Sequence, residues 1–167
     1  MKKWSALIVC TALAAPEAVA CAMTSTAVPF EVAGDAQTAV AGDAGELPAP
    51  PTVVKEIVRG IGVDHASCDD TGLLSLVIEW PRGKYKLRDL GFEFAPVSTS
   101  QPPYVIFPEG PLQGRMEGRR SEFLFMWREG PPSRQKPIDM QVQVRAVTRD
   151  NMRGPATSVR LRSPAGG

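Results

Sequence analysis

The stretch from Asp139 to Leu161, DMQVQVRAVTRDNMRGPATSVRL, constrains the fold more than any other. Met140, Val142, Val144 and Ala146 alternate with Gln141, Gln143 and Arg145, the period-2 pattern of a strand with one buried face. Asp150, Asn151, Gly154 and Pro155 supply a polar turn, and Thr157, Val159 and Leu161 then alternate with Ser158, Arg160 and Arg162. Two half-buried strands joined by a turn form a hairpin, and an antiparallel hairpin needs a second layer to cover its apolar face.

Further strands precede it. Val53 to Arg59 is a candidate first strand, ended by Gly60, Gly62 and Asp64. Leu74, Leu76, Ile78 and Trp80 alternate with Ser75 and Glu79, with Val77 as an apolar exception that implies some cover on the outer face. Leu90 to Phe94 follows, with Phe92 and Phe94 inward. Tyr104 to Phe107 reads as a short edge strand in a proline-rich stretch, since proline is tolerated at edges. Glu122 to Trp127 is apolar on both parities. No segment keeps a helical period beyond two turns. The pattern predicts an all-β domain over residues 52–164, with about seven strands arranged as an antiparallel sandwich.

Three of these segments together resemble the fibronectin type III family. LSLVIEWPRG, Leu74 to Gly83, is similar to the family's second strand, whose apolar run ends in a core tryptophan followed by proline; Trp80 takes that place. LGFEF is similar to the third strand, and MQVQVRAVTRDNMRGPATSVRL to the closing hairpin. Met140 stands where the family usually carries a tyrosine, and a thioether fills volume but donates no hydrogen bond. The resemblance implies an immunoglobulin-like sandwich, and domains of this kind serve as binding surfaces, spacers or accessory modules.

The N-terminus predicts export. Lys2 and Lys3 precede an apolar run from Trp4 to Ala15, Pro16 ends it, and Ala18-Val19-Ala20 offers a small-x-small cleavage site, giving a signal peptide over residues 1–20. The run is too short to span a bilayer, which takes about 20 residues, and no later segment approaches that length. Residues 21–51 are rich in Ala, Gly, Asp and Pro, a composition that buries too little apolar surface to offset chain entropy, and read as a flexible linker. Within them, the VPFEV patch from Val28 to Val32 offers the alternative of docking on the domain as an extra strand.

Cleavage after Ala20 leaves two cysteines, Cys21 and Cys68. In an oxidising compartment two such thiols pair as a disulfide. The rival reading is a lipobox, Ala18-Val19-Ala20-Cys21, with Cys21 carrying a lipid anchor; Ala18 replaces the usual leucine, and Pro16-Glu17 is a polar segment that lipoprotein signals tend to lack.

Few residues suggest chemistry. The charges nearly cancel, at 19 Lys and Arg against 18 Asp and Glu, which excludes the basic stripe of a nucleic-acid binder. His65 is the one histidine, which excludes multi-histidine metal sites and most Ser-His or Cys-His catalysis. Asp64, Asp69 and Asp70 near it lack the spacing of a calcium loop. No catalytic residue, metal or cofactor is expected. The loop GRMEGRRSE brings Arg115, Arg119 and Arg120 together with Glu117 and Glu122, and reads either as a solvated hairpin or as a patch for an acidic polymer. Tyr104, with Phe107 and Trp127, offers aromatic surface for a sugar or a partner, against the commoner fate of such residues as core.

The expectation is a non-enzymatic exported module that binds a protein or an envelope glycan, in the periplasm or outside the cell. One alternative is an outer-membrane lipoprotein whose sandwich acts as a spacer. Another is a small hydrolase using carboxylates among Asp64, Asp69, Asp70, Glu109, Glu117 and Glu122. The mass of the natively exported protein separates the two fates of Cys21. A disulfide gives a chain beginning at Cys21 with no free thiol, which takes up two alkyl groups only after reduction. Lipidation gives added acyl mass and a freely alkylated Cys68.

Overall fold

The computed structural model describes residues 24–33, 47–59, 71–97 and 105–165. In chain order the strands are β1 (Val28–Pro29), β2 (Thr52–Arg59), β3 (Thr71–Glu79), β4 (Leu90–Pro96), β5 (Leu112–Gln113), β6 (Arg115–Glu117), β7 (Arg120–Arg128), β8 (Ile138–Thr148) and β9 (Arg153–Ser163). They form two antiparallel sheets, a larger one in the order β1-β5-β4-β8-β9 and a smaller one in the order β2-β3-β7-β6.

The C-terminal hairpin follows its alternation. Met140, Val142 and Val144 of β8 face Leu161, Val159 and Thr157 of β9 in register, and the Met, Val and Leu side chains among them are buried. Asn151 makes the turn at φ 62°, where a short polar side chain is tolerated. Its N–H donates to the Thr148 carbonyl (3.1 Å), and its Oδ1 accepts from Arg153 (2.8 Å). Gly154 and Pro155, expected in the turn, lie within β9 instead. The glycine is needed there because Leu47 packs directly on it: an added Cβ would come within 2.8 Å of the Leu47 Cβ.

The two inner faces meet through aromatic rings. Trp80, just past β3, meets Phe92 of β4 edge-on at 5.9 Å, and Phe92 meets Phe123 of β7 the same way at 5.9 Å. Phe94 contacts Phe123 and Phe125 at 5.0 Å each. Phe107 closes the column, edge-on to Phe125 at 4.9 Å and stacked on Phe94 at 5.6 Å. Edge-to-face pairs at this spacing add about 0.5–1.5 kcal/mol each beyond the area they bury. Phe107 and Trp127, candidates for an aromatic surface, are core residues.

Phe107 also explains why residues 105–107 form no strand. Ile106 and Phe107 are consecutive and both buried, whereas a pleated strand sends neighbours to opposite faces. The three strands beyond the expected set, β1, β5 and β6, are two or three residues long, too short to display alternation. Between β5 and β6 the chain passes from the larger sheet to the smaller at Gly114, where an added Cβ would lie 2.4 Å from the Glu122 carbonyl oxygen. β7 settles its mixed pattern by keeping Phe123, Phe125 and Trp127 inside and Leu124 and Met126 half-buried outside.

The predicted linker, residues 21–51, needs correction where it is described: residues 24–33 and 47–51 belong to the domain. The Ser25 hydroxyl donates to the Leu124 carbonyl (2.8 Å), and the Leu124 N–H donates to Thr26 Oγ1 (2.9 Å), so this segment borders the free edge of β7. It then crosses to the other sheet, where β1 pairs with β5. The Phe30 N–H donates to the Pro111 carbonyl (2.9 Å), and its ring lies on Gly91, whose added Cβ would come within 2.4 Å of it. The Arg149 guanidinium sits 5.0 Å from the ring centre on the same side chain. The docked alternative for VPFEV is the one adopted. Low apolar content overall did not prevent it, because Phe30 and Leu47 alone carry most of the burial.

The sheet margins are blunted. β2 carries a register shift between Val54 and Glu56, with Lys55 exposed at it, and β9 bears Pro155, Arg160 and Arg162; bulges, prolines and charges of this kind discourage further strand pairing. At one end, the guanidinium of Arg59 is buried against the Glu129 carboxylate, with Nε–Oε2 at 2.9 Å, and donates to the Pro164 carbonyl (2.6 Å). No described helix is long and apolar enough to cross a membrane.

Truncating Phe30 to Ala is expected to destabilise the protein by about 3 kcal/mol, the scale of a buried aromatic deletion, measured by urea unfolding. Val53→Ala, at an exposed position, serves as the reference and is expected to change stability by less than about 0.5 kcal/mol.

Candidate functional site

The segment Trp80 to Asp89, WPRGKYKLRD, leaves β3 and enters β4. Pro81 ends the ladder, and two apolar pegs, Trp80 and Leu87, hold the connection to β4 against the core. The Trp80 N–H donates to the Arg119 carbonyl (2.8 Å), while its indole Nε1 donates back to the Tyr85 carbonyl (3.0 Å). Leu87 is buried and opens a short 3-10 turn, Leu87–Asp89, in which the Asp89 N–H donates to the Lys86 carbonyl (2.9 Å). With Trp80 and Leu87 turned inward, Arg82, Lys84, Lys86 and Arg88 are left exposed.

The turn between β6 and β7 faces this segment. Glu117 pairs with Arg120, leaving Gly118 and Arg119 as a two-residue loop. Gly118 has φ +60°, the first central position of a type II′ hairpin, where glycine avoids a steric penalty. The turn carries Arg119 to the end of β3, where its guanidinium lies 3.5 Å from both the Trp80 carbonyl and Glu79 Oε1.

The two segments enclose a concavity of about 530 Å³. Arg82, Lys86, Arg88 and Arg119 line it, Tyr85 and Met116 give it apolar walls, and no carboxylate is among the lining residues. Lys84 stands beside it with its ammonium 5.2 Å from the Tyr85 ring centre. Acids occur only outside the lining: Glu79 pairs with Arg119 and Arg120 at 3.5 and 3.8 Å, and Asp89 lies 3.9 Å from Arg88. Arg82 and Lys86 have no carboxylate partner among the described residues.

A second concavity, about 320 Å³, lies on the outer face of the smaller sheet. Its charges alternate: Lys55, Arg115 and Arg120 against Glu79, Glu117 and Glu122, with Val53 and Val77 also lining it. This is the outer-face setting of Val77. Glu122 sits at the centre of a network, accepting from Arg115 (2.5 Å), Lys55 (3.4 Å) and Ser75 (3.3 Å). The Arg115 hydrogen bond, partly opposed by desolvation, holds its carboxyl below the ordinary glutamate range. A carboxyl held ionised in this way is the reverse of a general acid, which needs a raised pKa.

The structure therefore divides the arginine patch. Arg115 and Arg120 join the charge-balanced trough, and only Arg119 reaches the basic concavity. Tyr104 lies outside the described residues, as do Cys21 and Cys68 with their disulfide and lipid readings, and Asp64, His65, Asp69 and Asp70. Of the remaining acids considered for hydrolysis, Glu117 and Glu122 share the trough, and Glu109 lies in the segment before β5. The residues that sequence reading passed over are Arg82, Lys86 and Arg88. The signal was present, four cations at alternate positions in RGKYKLR with no acid among them.

Because its pKa is lowered on folding, Glu122 contributes stability that is present above the ordinary glutamate value and is lost as pH falls through the lowered one. Glu122→Gln is expected to reduce the loss of stability on acidification across that window, measured as the difference in urea midpoint between neutral and acidic buffer. Added salt is expected to shrink the difference, since the pair is open to solvent. The chain matches no family model, no curated protein and no solved structure in the comparisons made with each.

Proposed function

We propose that this chain is an exported, non-enzymatic binding module of immunoglobulin-like fold, acting in the periplasm or outside the cell. The strand orders support the fold assignment. The smaller sheet, β2-β3-β7-β6, runs in the order of an immunoglobulin ABED sheet, and β5-β4-β8-β9 of the larger one runs C′-C-F-G. Trp80 in the core beside Phe92 agrees with the tryptophan of the fibronectin type III pattern.

The observation that carries the binding role is the concavity between Trp80–Arg88 and the β6–β7 turn, with four cations on its lining and no carboxylate. Arg119 and Arg88 have acidic neighbours outside the hollow, but Arg82 and Lys86 have no carboxylate partner among the described residues, and like charges gathered in one hollow repel one another, so their convergence supports an anionic partner. The non-enzymatic reading is supported by the trough, where the gathered carboxylates lie among basic side chains and Glu122 is held ionised.

Envelope and supernatant extracts of the producing cells, passed over the immobilised full chain, are expected to yield a partner that Arg82→Ala with Lys86→Ala no longer retains. Both positions are exposed, so the doubly substituted chain keeps the wild-type melting temperature. Recovery of nothing that depends on these two residues would count against the proposal.

A further inference from the structure

Resting on that reading, we infer that the ligand of the basic concavity is an acidic saccharide, a sugar carrying a carboxylate or a phosphate. The hollow has the volume of a small-ligand site, which typically spans about 300–1,000 Å³. Arg82 and Arg88 from one segment and Arg119 from the other line it with guanidinium side chains, and Lys86 adds an ammonium. Guanidinium forks match the planar oxygens of carboxylate and the oxygens of phosphate. Tyr85 and Met116 leave apolar surface within the same hollow, against which the carbon face of a sugar ring packs while its acid is held by the cations.

Two other classes of anionic partner fit less well. An acidic peptide can be held by an arginine cluster that reads its side chains or by main-chain pairing; the first leaves the Tyr85 and Met116 surface without an occupant, and the second finds three main-chain groups here already bonded. The Trp80 N–H goes to Arg119, the Tyr85 carbonyl accepts the Trp80 indole, and the Lys86 carbonyl accepts the Asp89 N–H. An anionic bilayer is held by a broad basic face with apolar residues entering the headgroups, whereas this site is concave and Met116 is the one large apolar side chain exposed on it.

The test is a calorimetric titration of the purified full chain with four probes: a uronic-acid oligosaccharide, a hexose phosphate, the neutral oligosaccharide of equal length, and inorganic phosphate. A poly-glutamate peptide and phosphatidylglycerol vesicles complete the set. Binding of the uronate or the hexose phosphate, with the neutral sugar silent, is expected; which of the two binds more tightly identifies the acid. Arg82→Ala with Lys86→Ala is expected to weaken that binding by about tenfold or more, the loss of charge-assisted contacts. Arg115→Ala, in the other concavity, is expected to leave it unchanged. The inference is overturned if neither acidic sugar binds, if inorganic phosphate alone binds as tightly, if the peptide or the vesicles bind more tightly than the sugars, or if Arg115→Ala weakens binding equally. If the acidic sugars fail while the extract partner is still lost in the doubly substituted chain, the saccharide is wrong and the binding module stands. If both fail, both readings fall.

Discussion

The edge-on contact of Phe92 and Phe94 with Phe123 and Phe125 is the interaction on which the rest depends. These four rings belong to facing strands of the two sheets, so their spacing sets the distance between the layers and the register in which β4 lies over β7. The column runs outward in both directions. At one end Phe107 enters from an irregular segment and seals the gap between the sheets. At the other, Trp80 carries the packing to the rim and spends its indole N–H on the Tyr85 carbonyl. The basic concavity is therefore floored by the last member of the core. Its cations are spaced by a backbone that Trp80 and Leu87 tie to the core.

A second dependence runs across the outer face of the larger sheet. A sandwich covers its inner faces by construction and leaves the outer ones to water, yet Val147 is fully buried on the strand face that pairs with Gly91. Phe30 lies on that glycine and Arg149 lies on Phe30. The outer face is thus covered locally by one ring and one guanidinium. The absence of a side chain at Gly91 makes room for a ring supplied by a segment 61 positions earlier in sequence.

Legibility in the sequence tracked how far each element could be recognised from its own residues. β3, β4, β8 and β9 each carry apolar residues at alternate positions that face one common core, so local pattern and tertiary role largely coincide. β7 was legible as a strand but not in its facing, since Leu124 and Met126 are apolar for reasons of outer cover. Residues 24–33 were obscured by their neighbours: one phenylalanine in a run of small and polar residues leaves a weak periodic signal, and its worth depends on Gly91, far away in the chain. The candidate site failed to show for a related reason. Arg119 was recognised within the loop that carries it, and Arg82, Lys86 and Arg88 within none. What unites them is the pairing of β3 with β7, which brings Glu79 opposite Arg120. The alternate cations of RGKYKLR stand in the sequence as a run, but their meeting with Arg119 is made by topology and has no spacing to be read.

The docking of residues 24–33 changes what a tether means for this molecule. Residue 33 is held where the Ala33 N–H donates to the Arg149 carbonyl (2.6 Å), and Leu47 is packed against Gly154, so the chain between them joins two fixed points and cannot lend reach to anything upstream. The chain enters the domain at Ser25 and Thr26, whose hydroxyls donate to the main-chain carbonyls of Leu124 and Glu122, so a pull applied through this segment is delivered to the sheet that holds β7 and not to a slack linker.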